Sequence, residues 1–331
     1  MLYELARPLL FSLDPETAHR FTLRLAGLLP QGDVPARPVK VMGIDFPNPV
    51  GLAAGLDKDA EHVDALARMG FGFLELGGVT PRPQPGNPQP RLFRLPQQQA
   101  IINRLGLNSQ GLERFASNLS KSAARCVIGV NIGKNKDTPN ERAAEDYVRC
   151  VEILYPLVQY FTLNISSPNT QGLRDLQSEA ALTQLLKTIS SVRERLRDRH
   201  GRHVAIAVKI APDMDDAALQ SVADVVRREG MDAVVATNTT VSREGVEGLE
   251  HASEAGGLSG RPLFFRSTEV VKKLRELLKD ELPIIAVGGI LSGADARAKF
   301  EAGASLVQVY TGLVYRGPSL ISECVSAYPA R

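Results

Sequence analysis

Short hydrophobic runs alternate with amphipathic segments along the chain from residue 49 onward. Eight of these runs have the length and composition of buried strands. They are Val50–Ala53, Phe73–Leu76, Val127–Asn131, Phe161–Ile165, Ala205–Ile210, Ala233–Thr237, Ile284–Val287 and Leu306–Tyr310. Strands that alternate with helices predict a parallel sheet, and eight repeats favour closure into a (β/α)8 TIM barrel over an open doubly wound sheet. We therefore predict an α/β barrel with its chemistry at the carboxyl ends of the strands.

Helical periodicity occupies most of the gaps between the predicted strands. The clearest helical segments are Ala60–Met69, Ala143–Leu157, Ala180–Arg199, Ala217–Glu229, Ser267–Leu278 and Gly293–Ala302. The gap between the second and third strands, Thr80 to Arg125, is longer than an ordinary connection and has five prolines near its start. We expect this stretch to fold over the barrel mouth as part of a pocket wall. The alternative is a proline-stiffened excursion on the surface.

An amphipathic pattern also occurs in the first forty residues. Asp14, Pro15 and Glu16 are typical of a helix N-cap, a first helical position and a first turn. A hydrophobic stripe follows and ends at Pro30, and a shorter leucine stripe precedes Asp14. Two interpretations are open. The segment is either a helical pair packed on the main domain or a helical pair lying in a membrane surface.

Length and composition limit the class of protein. The chain has 331 residues, about eighty more than the ~250 of a bare barrel. A linker-like stretch, Gln31 to Val39, divides it into a predicted N-terminal helical segment at 1–40 and a predicted barrel domain at 41–331. With 44% hydrophobic and 23% charged residues, the composition is that of a folded domain. No hydrophobic run approaches the ~18 residues of a membrane span, and the start does not resemble a signal peptide.

The charge balance and the cysteines exclude further classes. A net charge of +2 gives no general electrostatic footprint for nucleic acid. The three cysteines, Cys126, Cys150 and Cys324, have no Cys-X-X-Cys spacing. Such spacing is typical of metal and iron–sulfur sites, and an odd count argues against a disulfide framework. We expect a chain from a reducing, cytosolic setting that binds neither nucleic acid nor a metal ion.

Polar residues gather where the predicted strands end. They are Lys58, Asn131, Asn164, Ser166, Ser167, Lys209, Asn238, Gly288, Gly289, Tyr310 and Thr311. Strand ends of a barrel face one mouth, where buried polar groups are costly unless a ligand or a neighbour satisfies them. Asparagine amides both donate and accept, which suits a pyrimidine or a flavin ring. The glycines after the last two predicted strands, together with Gly256–Gly260, favour a phosphorylated ligand.

Lys209 is flanked by Val208 and Ile210, so we expect an inward-pointing cation in a hydrophobic wall. Such a charge could stabilise an anionic ring, for example that of a reduced flavin, or it could pair with a carboxylate elsewhere in the chain. Two other functions stay open. One is a barrel lyase or isomerase that acts on a phosphorylated metabolite through a Schiff base on Lys209. The other is a non-catalytic, membrane-associated binding module.

Several segments resemble those of class 2, quinone-linked dihydroorotate dehydrogenases. They are Gly51–Lys58, Val79–Asn87, Asn103–Gly106, Asn164–Thr170, Ala236–Thr240 and Gly256–Pro262. The resemblance extends from the N-terminal helices to Thr311, which is nearly the whole chain. It implies one FMN per chain and oxidation of (S)-dihydroorotate to orotate in de novo pyrimidine (UMP) biosynthesis. It also implies ubiquinone or menaquinone as the electron acceptor.

The resemblance further implies roles for individual residues. Ser167 would take a proton from C5 of dihydroorotate while a hydride leaves C6 for N5 of FMN, with Thr170 as a candidate relay. Substrate contacts would be Lys58, Asn103, Arg104, Leu105, Gly106, Leu107, Asn164, Asn169, Asn238 and Thr239. FMN contacts would be Ala54, Gly55, Leu56, Asp57, Lys58, Gly78, Asn131, Asn164, Lys209, Thr237, Gly260, Gly289, Tyr310 and Thr311.

The resemblance also favours the membrane interpretation of the N-terminal segment. In this class the helical pair lies on the cytoplasmic face of the cell membrane and frames a tunnel to FMN, without an iron–sulfur partner subunit. His19, Arg94 and Tyr310 would line the quinone entrance. Two residues depart from the family's pattern: Gly78 stands where a threonine is common, and Leu107 stands where some members have a phenylalanine.

Overall fold

The computed structural model of the chain describes residues 2–329. Over this range the strands are β1 Val39–Val41, β2 Ile44–Phe46, β3 Val50–Leu52, β4 Phe73–Val79, β5 Leu92–Leu95, β6 Ala100–Asn103, β7 Val127–Ile132, β8 Tyr160–Asn164, β9 Ala205–Ile210, β10 Ala233–Ala236, β11 Gly257–Gly260, β12 Ile284–Val287 and β13 Leu306–Val309. The helices are α1 Leu2–Ser12, α2 Pro15–Ala26, α3 Val63–Ala67, α4 Leu112–Lys121, α5 Ala143–Leu154, α6 Glu179–His200, α7 Asp216–Arg228, α8 Phe264–Leu278, α9 Gly293–Glu301, α10 Thr311–Arg316 and α11 Ser319–Ser326.

Eight of the strands found in residues 2–329 close into a barrel in the order β3, β4, β7, β8, β9, β10, β12, β13. Neighbouring strands pair in parallel throughout, and β13 pairs with β3 to close the ring. The predicted (β/α)8 fold is therefore confirmed. Every predicted strand overlaps a barrel strand, and the largest difference is in β4, which continues beyond Leu76 to Val79.

The barrel strands read as hydrophobic runs because both of their faces are buried. β9 and β12, for example, are buried at every position. One face packs in the barrel interior and the other packs against the surrounding helices, each of which buries one hydrophobic stripe. In α7 that stripe includes Leu219, Val222 and Val226. The amino-terminal end of the barrel is covered by the antiparallel β1–β2 hairpin, where the Phe46 and Phe73 rings meet edge to face at 5.2 Å.

The long stretch after the second barrel strand forms part of a second sheet. β5 and β6 pair as an antiparallel hairpin, and β11, from a distant part of the chain, pairs with β6. The register sets Asn103 opposite Gly257 and Ala100 opposite Gly260. This sheet brings β11 and the segment that follows β6 to the barrel mouth, where both line the same cavity.

The second N-terminal helix, α2, begins where the sequence predicts. The Asp14 carboxylate caps α2 by accepting from the Thr17 backbone N–H at 2.8 Å. Arg7 donates to the Tyr315 carbonyl at 2.7 Å, and Glu16 forms a buried ion pair with Arg91 at 2.7 Å, so both helices are fixed to the body of the protein.

The outer face of these helices carries exposed hydrophobic side chains beside Arg20 and Arg24. Leu5 and Leu9 on α1 are 80% and 72% exposed, Phe21 and Leu25 on α2 are also exposed, and Leu28, just after α2, is 81% exposed. Within residues 2–329, no helix is both long enough and hydrophobic enough to cross a membrane.

Candidate active site

A cavity of about 1020 Å³, including its open end, occupies the barrel mouth. Most of the predicted substrate and cofactor residues line it together. They are Ala54, Gly55, Lys58, Gly78, Asn103, Leu105, Gly106, Leu107, Asn131, Asn164, Ser167, Asn169, Lys209, Thr237, Asn238, Thr239, Gly260, Gly289, Tyr310 and Thr311. Barrel closure explains the convergence, because the carboxyl ends of parallel strands open at one face.

Asparagine amides form a connected row across this cavity. Asn164 Nδ2 donates to Asn131 Oδ1 at 3.0 Å, and Asn238 Nδ2 donates to Asn164 Oδ1 at 3.3 Å. On the side of the cavity under the β5–β6–β11 sheet, Asn169 Nδ2 donates to Asn103 Oδ1 at 3.1 Å. These bonds hold the amides in place while the side chains still face the cavity, so they can recognise the edge of a flat polar ring.

Two lysines supply positive charge to the same cavity. Burial lowers the pKa of Lys58 to about 8, and burial also lowers the pKa of Lys209, an effect that the negative charge of Glu75 opposes. Neither ammonium group donates a hydrogen bond to another part of residues 2–329. Both groups are therefore free to bind an anionic ligand, and burial strengthens their electrostatic effect on it.

Ser167 lies in the loop after β8 and is 7% exposed. Its Oγ accepts from the Asn169 backbone N–H at 3.3 Å, and this donor stabilises negative charge on the oxygen. The Thr170 hydroxyl is buried, and no partner for it occurs among the described residues. The local geometry is that of a hydroxyl held toward a ligand, with a second hydroxyl three residues away.

The opposite wall of the cavity is built from backbone. A side chain at Gly289 would place its Cβ 2.4 Å from the Phe264 Cα, and one at Gly260 would place it 2.2 Å from the Gln99 carbonyl oxygen. Next to them, the Ser259 and Thr311 hydroxyls lie 2.8 Å apart. Glycines packed this closely leave peptide N–H groups and hydroxyls at the wall, which is the donor set that a phosphate requires.

Three of the predicted substrate and cofactor residues do not line the cavity. Leu56 lies in the wall of a second cavity. The Asp57 carboxylate accepts from the Glu61 and His62 backbone N–H groups and so stabilises the turn that follows. The Arg104 side chain forms an ion pair with Glu254 at 2.6 Å.

A second, mainly hydrophobic cavity of about 860 Å³ lies beneath α1 and α2. The predicted quinone residues His19, Arg94 and Tyr310 all line it. Burial lowers the pKa of His19 to about 4, so this imidazole is neutral near pH 7. Leu92, Ile101 and Tyr310 line both cavities and therefore form the wall between them.

Sequence reasoning missed two polar residues inside the barrel. Glu75 on β4 and Gln308 on β13 are buried and joined by a hydrogen bond of 2.7 Å from Gln308 Nε2. Each interrupts a hydrophobic strand, and this interruption was the signal available in the sequence. Within residues 2–329, no group of histidine, cysteine and acidic side chains could hold a metal ion.

Comparison with known proteins agrees with this architecture. The family model described as dihydroorotate dehydrogenase matches residues 37–329. The chain is 57% identical to the dihydroorotate dehydrogenase (quinone) of Azoarcus sp. (strain BH72), over 99% of this chain and 98% of that protein. It is 58% identical to the protein of the same name from Thiobacillus denitrificans, over 98% of each.

A solved structure agrees as well. The crystal structure of DHODH from Eimeria tenella in complex with ferulenol matches with a TM-score of 0.88 and 41% identity, over 95% of this chain and 90% of that chain. The class is therefore that of the flavin-dependent barrel dehydrogenases. Within this class, the chain belongs to the dihydroorotate dehydrogenase family, which confirms the resemblance found in the sequence.

Proposed function

We propose that this chain oxidises (S)-dihydroorotate to orotate and passes the electrons to a membrane quinone, a step of de novo pyrimidine biosynthesis. One observation carries the proposal: a polar, lysine-containing cavity and a hydrophobic cavity share a wall at Leu92, Ile101 and Tyr310. A charged pyrimidine suits the first cavity and a lipid-like quinone suits the second. A redox group between them would connect the two half-reactions.

FMN is the group we place there. The glycine-built wall around Gly260 and Gly289, with the Thr311 hydroxyl, fits its phosphate, and the amide row with Lys209 fits its ring. When bound, FMN supplies the hydride acceptor for dihydroorotate oxidation. The remaining proposed contacts are Ala54, Gly55, Lys58, Gly78, Asn131, Asn164, Thr237 and Tyr310, all of which line the cavity.

The substrate side of the pocket is the wall under the β5–β6–β11 sheet. We assign the substrate carboxylate to Lys58 and the segment from Asn103 to Leu107, and the ring edges to the amides of Asn164, Asn169 and Asn238. Thr239 lies beside Asn238 in the same wall. A buried ammonium group with no protein acceptor is suited to an anion. We leave Arg104 out of this assignment, because Glu254 already neutralises its side chain.

Ser167 is the proposed base for the proton at C5. A serine hydroxyl is a weak base, so its function depends on groups that stabilise negative charge on Oγ or carry the proton away. The Asn169 backbone N–H provides the first of these. The unpartnered Thr170 hydroxyl is our candidate for the second. A Schiff-base role for Lys209 is not favoured, because the relatives of this chain are named dehydrogenases.

We further propose that residues 1–40 form the quinone and membrane module of the protein and that 41–331 form the catalytic barrel. The exposed leucines of α1 and α2 would enter the interface of the cytoplasmic leaflet as a peripheral anchor. The cavity beneath them would admit ubiquinone or menaquinone past His19 and Arg94. No iron–sulfur subunit and no nucleic acid are needed in this scheme.

Ser167→Ala is the test of the catalytic assignment. We expect turnover of dihydroorotate to fall by about 10² to 10⁴, the usual contribution of a positioned base, while the flavin spectrum is unchanged. Ser120→Ala on the exposed surface of α4 is the control and should behave like the wild type. Normal turnover in the Ser167 variant would remove this residue from the mechanism.

A further inference from the structure

Glu75 is a buried carboxylate that the mechanism above does not use. It lies on β4 in the barrel interior, with its side chain fully buried. Three other strands supply its hydrogen-bond donors. They are Asn131 Nδ2 at 3.0 Å to Oε1, and Thr162 Oγ1 at 3.0 Å, Tyr160 OH at 3.1 Å and Gln308 Nε2 at 2.7 Å to Oε2. Four donors therefore converge on this carboxylate and hold it in position.

The Glu75 carboxylate lies at one end of the row of amides formed by Asn238, Asn164 and Asn131. Each amide in this row donates its hydrogen bond toward Glu75. The Ser166 backbone N–H, which can only donate, points to Asn164 Oδ1 at 3.3 Å. Asn164 must therefore turn Nδ2 toward Asn131 Oδ1, at 3.0 Å, and Asn131 in turn presents Nδ2 to Glu75 at 3.0 Å. The Glu75 carboxylate accepts all four of its hydrogen bonds, so both ends of the row impose the same orientation on the two amides.

Glu75 also acts on Lys209 through its charge. Its negative charge favours the ammonium form of Lys209 and so opposes the fall in the pKa of that lysine on burial. The other titratable groups nearby are Lys58, whose pKa Lys209 helps to lower, and Tyr160, whose pKa is raised by burial and by Glu75. Among these, Glu75 supplies the negative charge that balances Lys209 in the barrel interior.

We propose that Glu75 is a positioning residue of this active site. Its charge fixes the direction of the Asn131 and Asn164 amides and balances Lys209, so that a bound ring meets donors and acceptors in one order. The inference rests on the function proposed above, because it takes FMN and orotate as the rings in the cavity. It requires no contact between Glu75 and either ligand.

Glu75→Gln tests the proposal because it preserves the shape of the side chain, removes the charge and replaces one acceptor oxygen with an NH₂ group. Thr162→Val is the matched control, since it removes one donor to the same carboxylate and leaves the charge in place. Orotate affinity is measured from the change in flavin absorbance, in the full-length, flavin-loaded proteins, between about pH 6 and pH 10.

We expect Glu75→Gln to weaken orotate binding by about tenfold or more near pH 7, the effect of one mismatched buried hydrogen bond. We also expect the pH above which binding is lost to fall, because Lys209 loses the negative charge that favours its ammonium form. Lys58 loses its proton in every variant. A difference between two variants in the pH limit of orotate binding therefore reports the pKa of Lys209. Thr162→Val should bind within about threefold of wild type, with no displaced pH limit.

Wild-type affinity and an unchanged pH limit in Glu75→Gln would overturn the proposal. Equal losses in Glu75→Gln and Thr162→Val, with no displaced limit, would also overturn it, because they would assign Glu75 to packing alone. If Glu75→Gln does not fold, Glu75→Asp is the variant that tests the proposal. It keeps the charge, so orotate binding should keep the wild-type pH limit. A displaced pH limit in Glu75→Asp would contradict the proposal. A wild-type protein that binds neither flavin nor orotate would instead refute the proposed function.

Discussion

Gly289→Ala tests the glycine-built wall to which we assign the phosphate of FMN. Gly289 has a φ of +76°, and an added Cβ would lie 2.4 Å from the Phe264 Cα and 2.6 Å from the Phe264 N. Those neighbours are backbone at the start of α8 and cannot rotate away as a side chain would. The start of that helix or the loop after β12 must shift, and the peptide groups at the wall must shift with it.

Gly43→Ala separates this clash from the cost of a positive φ. Gly43 has a φ of +74°, in the β1–β2 turn, and an added Cβ there would have nothing within 4 Å. Alanine at such a φ costs about 1 kcal/mol. The clash at Gly289 adds about 1–3 kcal/mol by the usual cost of overpacking. For 331 residues, an unfolding entropy of roughly 0.7 kcal/mol per kelvin converts these values to Tm losses of about 1–2 °C for Gly43→Ala and about 3–6 °C for Gly289→Ala.

The assay has two readouts, the Tm and the flavin content of the purified protein from its ratio of visible to ultraviolet absorbance. We expect Gly43→Ala to retain full flavin content and Gly289→Ala to lose most of it, because its phosphate wall has moved. If Gly289→Ala shows the larger Tm loss and still retains full flavin content, the assignment of this wall to the phosphate is refuted.

Three further predictions follow from charges and from the N-terminal helices. Orotate affinity should fall as pH rises through about 8, where Lys58 loses its proton. Lys58→Met should abolish this fall in affinity. A wild-type affinity that does not change with pH would contradict the assignment of the orotate carboxylate to Lys58. The Arg91 side chain lowers the pKa of Glu16, so Glu16→Gln should cost about 1–3 kcal/mol in urea unfolding at pH 7. Since a lowered pKa gives stability that is lost as pH falls, this difference should shrink below about pH 4, and a constant difference would contradict the ion-pair account. Deleting residues 1–35 should abolish quinone reduction and vesicle binding while flavin stays bound, and retained quinone turnover would contradict the proposed module.

The sequence predicted the barrel well because each barrel strand is buried on both faces and is mainly hydrophobic. The end of β4 was missed because Gly77 and Gly78 interrupt its run, although the strand continues to Val79. The sheet over the mouth was not predicted as strands. β5 and β6 have four residues each, and β11 pairs with β6 from more than 150 residues away, so local periodicity gives little sign of them.

The site was predicted as a set of residues but not as a network. Strand ends bring Asn131, Asn164 and Lys209 together in any barrel of this order. The partner of Asn131 is Glu75, which lies within a hydrophobic run and gains its other donors from distant strands. Arg104 was predicted as a substrate contact because its sequence motif lies at the cavity. Its side chain instead pairs with Glu254.

The central claim is dihydroorotate oxidation coupled to a quinone through a flavin. The most direct test mixes the purified full-length protein with dihydroorotate and a soluble quinone and follows orotate formation and quinone reduction together, after recording the visible spectrum. Our account predicts a yellow protein that forms one orotate for each quinone reduced. A colourless protein, or one that forms no orotate under these conditions, would contradict it.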